Sequence, residues 1–125
     1  FQYTENQMAS RIRRLRRKLK SHNGFDILVT HAPARSLNDG EDLPHRGFDC
    51  FNQLLEEYSP SYFVHGHVHM SYNANLPRCC RKGDTTVVNA YEKYVIEVEP
   101  DPNRPVRPEW WQFWKWLPAR SRVQP

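Results

Sequence analysis

The segment Tyr62-Phe63-Val64-His65-Gly66-His67-Val68-His69 decides how this chain is read. A short apolar, aromatic and β-branched run follows Ser59-Pro60 and ends at Gly66, the pattern of a buried strand running into a loop. In extended backbone alternate side chains share a face, so His67 and His69 can point into one pocket and ligate one metal ion or two neighbouring ones. Spacing alone leaves a plain surface loop as the equal alternative. A second strand-then-histidine, Asp26-Ile27-Leu28-Val29-Thr30-His31-Ala32-Pro33, favours the metal reading.

Between these two stretches Phe48, Phe51, Leu54, Leu55 and Tyr58 mark a helix that Pro60 closes. Strand, helix and strand make a βαβ unit with a right-handed crossover, its first strand (Phe25 to Thr30) buried on both faces. After His69 a β-meander is expected from Met70–Asn75, Thr85–Asn89 and Lys93–Glu99, with Pro77 and Lys82-Gly83-Asp84 marking one connection and Ala90-Tyr91-Glu92 the other. Ahead of the βαβ unit, Thr4 to Ser21 reads as a helix with a Thr4/Gln7 capping box and an apolar stripe of Met8, Ile12, Leu15 and Leu19. Its other faces carry Arg11, Arg13, Arg14, Arg16, Arg17, Lys18 and Lys20, read as the solvated side of a helix docked on a sheet; nucleic acid is not expected as a partner. Asn23-Gly24 ends this helix, and His22 there is a partner for the helix dipole.

Length and composition set the bounds. The 125 residues suit one domain, and 18 basic against 14 acidic side chains give a net charge of +4, compatible with phosphate-bearing partners. No apolar run reaches the ~18 residues of a membrane span, and no apolar region follows the basic N-terminal segment as in a signal peptide. Three cysteines, Cys50 and the adjacent Cys79 and Cys80, fit a reducing, cytoplasmic setting better than a disulfide framework. The chain begins at Phe1, so a cleaved, trimmed or partial product is expected. Pro100, Pro102, Pro105 and Pro108 make a stiff linker to Glu109-Trp110-Trp111-Gln112-Phe113-Trp114-Lys115-Trp116-Leu117, an aromatic load expected to pack on the protein body or a second subunit, or to sit at a membrane surface.

His31 and the His67/His69 pair all follow the C-terminal ends of expected parallel strands, the edge at which open α/β sheets bind ligands. Imidazoles are neutral, and a two-metal site needs carboxylates as well; Glu5 and Asp26 are isolated and Asp26 lies at the far end of its strand.

Val29-Thr30-His31-Ala32-Pro33, Gly66-His67-Val68-His69 and Val87-Val88-Asn89 together resemble the C-terminal half of a calcineurin-like metallophosphoesterase, over about residues 25–99. The resemblance implies an α/β fold, the C-terminal half of a four-layer αββα sandwich, and a centre of two divalent ions (Mn, Fe or Zn) whose bridging hydroxide attacks a phosphate mono- or diester in line. By position His31 and His67 would bind the second metal and His69 the first, with His65 in the strand or behind the ligands. The family's Asp-x-His, Gly-Asp and Gly-Asn-His motifs are absent. The missing N-terminal half, or a second chain, is therefore expected to complete the site, and this chain by itself is expected to be inactive. Residues 1–99 would form the half-domain and 100–125 the linker and tail.

The loop Ala34 to Arg46 contains Asp39, Asp42 and His45 at steps of three, then Arg46-Gly47. His45 could protonate a leaving oxygen and Arg46 could clamp a phosphate oxygen; a polar loop capping the following helix is the equal alternative, and its length favours a functional lid. The competing functional class is a non-catalytic metal-binding or interaction module with a basic helix and an aromatic tail.

Overall fold

The computed structural model describes residues 3–71 and 77–98. The chain divides into two units, Phe1–Val95 and Ile96–Pro125. In the second only 96–98 are described, without helix or strand, so the Pro-rich linker and the Trp-rich segment lie outside the described residues. The first unit is mixed α/β. Helix α1 (Glu5–Ser21) leads into strand β1 (Ile27–Val29); helix α2 (Asp49–Tyr58) precedes β2 (Tyr62–His65), and β3 (Cys79–Lys82) and β4 (Thr85–Asn89) complete one sheet in the order β1-β2-β4-β3. Strands β1, β2 and β4 run parallel, while β3 pairs antiparallel with β4.

Helix α1 starts where its caps dictate. Gln7 N–H donates to Thr4 Oγ1 at 3.4 Å, and Thr4 N–H donates to Gln7 Oε1 at 2.9 Å, closing the capping box. Ile12 is buried, with Met8, Ala9 and Leu19 packed beside it. Leu15, expected in the stripe, is 53 % exposed, because the contact with α2 runs along Met8, Ala9, Ile12 and Leu19 and leaves Leu15 at its margin.

Helix α2 has Phe48 at its N-cap, which offers no side-chain acceptor. Glu5 supplies one from the first turn of α1: its carboxylate accepts Asp49 N–H at 3.1 Å and Cys50 N–H at 2.7 Å. One carboxylate thus favours the positive end of both helices, and it locks two segments far apart in sequence. At the other end Ser59 takes a left-handed conformation (φ 44) and returns its N–H to Leu55 O, and buried Pro60 follows.

The helices cover one face of the sheet. Phe51, Leu54 and Leu55 of α2 and Ile12 of α1 join Leu28, Phe63, Val87 and Cys80 from the strands in one apolar cluster. Phe63 and Val87 are fully enclosed; burying side chains of this kind is worth roughly 1.5–3 kcal/mol each. On the opposite face β1 departs from expectation. Rather than buried on both sides, it is an edge strand whose Ile27 is 44 % and Val29 71 % exposed, because no second layer covers that face among the described residues.

The expected meander is also corrected. Met70 and Ser71 lie in a turn, and residues 72–76 are outside the described set. The strand before β4 is instead Cys79–Lys82, joined to it by the two-residue turn Gly83-Asp84, with Gly83 at φ 57. Glycine first is what such a tight hairpin favours, because no Cβ opposes a positive φ. Lys93–Val98 forms no strand: Tyr94 spends its hydroxyl on Cys79 Sγ and its ring under Arg78, side-chain contacts in place of a backbone ladder.

The Cys50 thiol is 5 % exposed, and burial, followed by the Glu5 carboxylate beside it, pushes its pKa up to about 12. Exposed Cys79 lies on the far sheet edge. In a thiol titration with Ellman's reagent at about pH 8, Cys79 is expected to react promptly and Cys50 only after unfolding, since the thiolate is the nucleophile. Prompt labelling of Cys50 in the native protein, read by peptide mass, would contradict the packing of α1 on α2.

Candidate functional site

Parallel pairing of β1, β2 and β4 brings the carboxyl ends of all three strands to one sheet edge. Thr30 N–H donates to Val64 O and Gly66 N–H to His31 O, so the ladder continues past both strands and sets His31 beside the turn after β2. His67 sits in that turn at φ 66, a left-handed conformation uncommon for a residue with a Cβ. Buried Val68 and the Asn89 side chain stabilise the turn: Asn89 Nδ2 donates to Val68 O at 2.8 Å and its Oδ1 accepts Tyr91 N–H at 3.0 Å. Asn89 thereby serves the backbone of the site.

The two rings of His31 and His67 meet. His67 Nδ1 lies 3.0 Å from His31 Nε2, and His67 Nε2 lies 2.7 Å from Pro44 O. A carbonyl only accepts, so Nε2 carries the proton of His67; its Nδ1 is then the bare nitrogen, and His31 Nε2–H donates to it. A metal-binding histidine has its second ring nitrogen held by a carbonyl in the same way. Here the first nitrogen accepts from His31 Nε2–H, so a metal taken by the pair would require His31 to carry its proton on Nδ1 instead. The donor set present is two imidazole nitrogens in mutual contact at 3.0 Å, a pair that fits part of a divalent-metal shell once the proton between them is gone. His69, by contrast, is exposed and places its ring 4.6 Å from that of Tyr91. Among the described residues, no three histidine, cysteine or acidic side chains converge as a metal-holding group.

His65, the first histidine of the opening stretch, turns inward from the end of β2. It is 1 % exposed, its Nδ1 donates to Gly66 O at 3.1 Å, and its ring lies 5.5 Å from that of Phe63. Burial lowers its pKa and keeps the ring neutral. Its Nε2 is buried without a hydrogen-bond partner among the described residues.

The long loop after His31 is tied at its neck. Phe48 N–H donates to Pro33 O and Arg35 N–H to Phe48 O, around Ala34, which is fully buried. Gly47 fits only because it has no side chain: a Cβ there would lie 2.3 Å from Ala34 C and 2.4 Å from Ala34 O. Within the loop Asp39 Oδ2 accepts Gly47 N–H at 2.9 Å, and Gly40 N–H donates to His45 O at 3.0 Å. Asp39 is therefore a loop clip. Asp42 Oδ2 lies 2.7 Å from His45 Nδ1, and the His45 ring stands 5.3 Å from His67. Residues 43–45 form one 3-10 turn, and the carbonyl of its Pro44 is the one that orients His67. Arg46, named with His45 from sequence, is exposed and makes no hydrogen bond or ion pair among the described residues.

His31, His67 and His45 are therefore brought together, while His69 and Arg46 are not drawn into that cluster. One contributor escaped sequence reading: Pro44 acts through its carbonyl, which carries no side-chain signature. Asp42 was named with His45 from the Asp-x-x-His spacing, and the structure gives it the role of that ring's partner.

Gly47→Ala is expected to destabilise the protein by about 2–3 kcal/mol, because backbone must move to admit the methyl group. For a domain of this size that is a fall in Tm of about 10 °C or more. Gly66→Ala, whose added Cβ would meet only His31 O at 3.9 Å, is expected to cost little, although it lies beside the histidines. Paired thermal melts distinguish the two; equal losses would mean that the loop neck is not tightly closed.

Compared with known proteins, the chain matches no family model, no curated protein and no solved structure.

Proposed function

We propose that this chain carries part of the active site of a metal-dependent phosphoesterase, acting on a phosphate mono- or diester. The observation that carries the reading is the imidazole pair at the sheet edge, His31 Nε2 and His67 Nδ1 at 3.0 Å, with His67 oriented from behind by Pro44 O. In this proposal His31 and His67 hold divalent metal, and His69 joins them as a further ligand only by turning from Tyr91, beside which its ring lies. Bound there, divalent ions such as Mn, Fe or Zn supply Lewis acidity toward phosphate oxygens and a water ionised near neutral pH.

The remaining residues act around that centre. Pro44 O keeps the His67 proton on Nε2, so that Nδ1, which here accepts from His31, is the nitrogen a metal would take. Asp42 holds the Nδ1 side of His45, whose ring stands 5.3 Å from that of His67; in this proposal the protonated ring donates from Nε2 to the departing alkoxide. Arg46, exposed next to it, is the cation available for a substrate phosphate. Two or three neutral imidazoles leave the charge of two dications uncompensated, so the carboxylates have to come from elsewhere. Strand β1 stands at a sheet edge with Ile27 and Val29 exposed on its uncovered face, which supports a further layer of strands lying there, the second half of an αββα sandwich that would bring those carboxylates. This chain by itself is then inactive.

A second reading, a metal-binding module without turnover, is favoured by the same shortage of carboxylates. Hydrolysis of bis(p-nitrophenyl) phosphate with added Mn²⁺, by the polypeptide that includes the carboxylate-bearing part, decides between them. Turnover that falls by two or more orders of magnitude in His67→Ala is the expected result. Zn²⁺ binding by this chain in calorimetry, lost in His67→Ala, without any turnover by the complete polypeptide, would establish the binding module. No metal binding at all would refute both.

A further inference from the structure

In place of the merely solvated face expected from sequence, we infer that the outward half of α1 is a binding surface for the phosphate backbone of a nucleic-acid duplex. Seven basic side chains lie between Arg11 and Lys20, and no acidic residue occurs from Asn6 to Phe25. The structure sorts these seven cleanly. Arg16 turns into the seam between the helices and pairs with Glu57 at 2.9 Å. Arg11, Arg13, Arg14, Arg17, Lys18 and Lys20 are all exposed, and none forms an ion pair among the described residues. The side-chain hydrogen-bond partners of Arg11 and Arg13 are neutral hydroxyls, Tyr3 Oη and Ser10 Oγ. A merely solvated helix face mixes signs, because like charges three and four apart each cost about 0.2–0.5 kcal/mol. Here Arg13 faces Arg17, and Arg14 faces Lys18, with nothing to offset them.

The ligand chemistry follows from what else the helix can offer. Apart from Leu15, its apolar stripe is spent on the core, and one exposed leucine is not an apolar face to sink into a bilayer. What it presents is cations, mostly guanidinium groups, which take phosphate oxygens in pairs. The run from Arg11 to Lys20 is about 14 Å long on a cylinder about 10–12 Å wide, dimensions that lie along or within a duplex groove about 12 Å across. Phosphate oxygens are present at every step of a duplex, so these cations find partners on the backbone whatever the base sequence. This surface is separate from the histidine cluster, and the inference does not depend on the phosphoesterase reading.

The test is fluorescence anisotropy of a labelled random-sequence DNA duplex of about 24 base pairs, titrated with the full chain in EDTA at several KCl concentrations. Six phosphate contacts at about 0.9 each give an expected slope of log K against log salt of about −5. The variant Arg13→Gln/Arg14→Gln/Arg17→Gln is expected to lower that slope by about 2.7 and weaken binding at least tenfold, with an unchanged circular-dichroism spectrum. His67→Ala is expected to bind like the parent chain, which keeps this result apart from any result on hydrolysis. Absence of duplex binding at about 50 mM salt, an unchanged affinity in the triple variant, or binding only to vesicles containing about 30 % phosphatidylserine would each overturn the inference.

Discussion

Everything at the site edge depends on β2 lying between two strands that run its own way. Parallel pairing with β1 on one side and β4 on the other sends three carboxyl ends in one direction. The residues that follow, His31 after β1, His65 to His67 around the end of β2 and Asn89 at the end of β4, have no other place to meet. The backbone ladder continues one step beyond the strands through Gly66 N–H and His31 O, and that single extra bond brings the two imidazoles into contact. Antiparallel pairing of either neighbour would have put one of these groups at the opposite end of the sheet.

The supporting layer is built from economical contacts. Glu5 satisfies the first turn of α2 while beginning α1, so a single carboxylate joins the two helices at the end where the chain approaches the loop. The loop is closed by backbone bonds around Ala34 and by Asp39, and its inner turn delivers a carbonyl to His67. Much of what orients the site is therefore main chain. Side chains with visible chemistry, the histidines and Asp42, stand on a frame set by glycine, proline and alanine.

That division explains what could be read from the amino acids alone. The capping box at Thr4, the helix from Asp49 to Tyr58 and the strands ending at Val29, His65 and Asn89 carry local signals, namely periodicity, caps and β-branched runs, and they stand where those signals put them. The meeting of His31 and His67 was legible because each follows a strand end at short range. His69 was expected with them and is not there, while His45 comes from the long loop, one of whose two equal readings put it at the mouth of the site. What was not legible was tertiary. Whether β1 is central or at an edge depends on what else pairs with it, and Phe25–Thr30 reads the same either way. Cys79–Lys82 lacks the alternation of a strand and is held as one by its turn and its partner β4. The outward turn of His69 toward Tyr91 could not follow from a period of two, because the backbone leaves extended geometry at His67.

The parallel arrangement also governs how the chain reaches this state. Only β3 and β4 are neighbours through a two-residue turn, a pairing that closes a very small loop. Joining β1 to β2 brings Ile27 to Tyr62 across the whole intervening loop and α2, and joining β2 to β4 spans the β3 hairpin. The entropy of closing those long loops is lost before their contacts form, so sheet assembly is a late, slow event relative to the hairpin and the helices. Until it is complete, the outer edge of β1 and the apolar side chains of Phe63 and Val87 are open to other chains. Dilute refolding, at low concentration and with the helices already stable, is the condition under which this topology is reached without self-association.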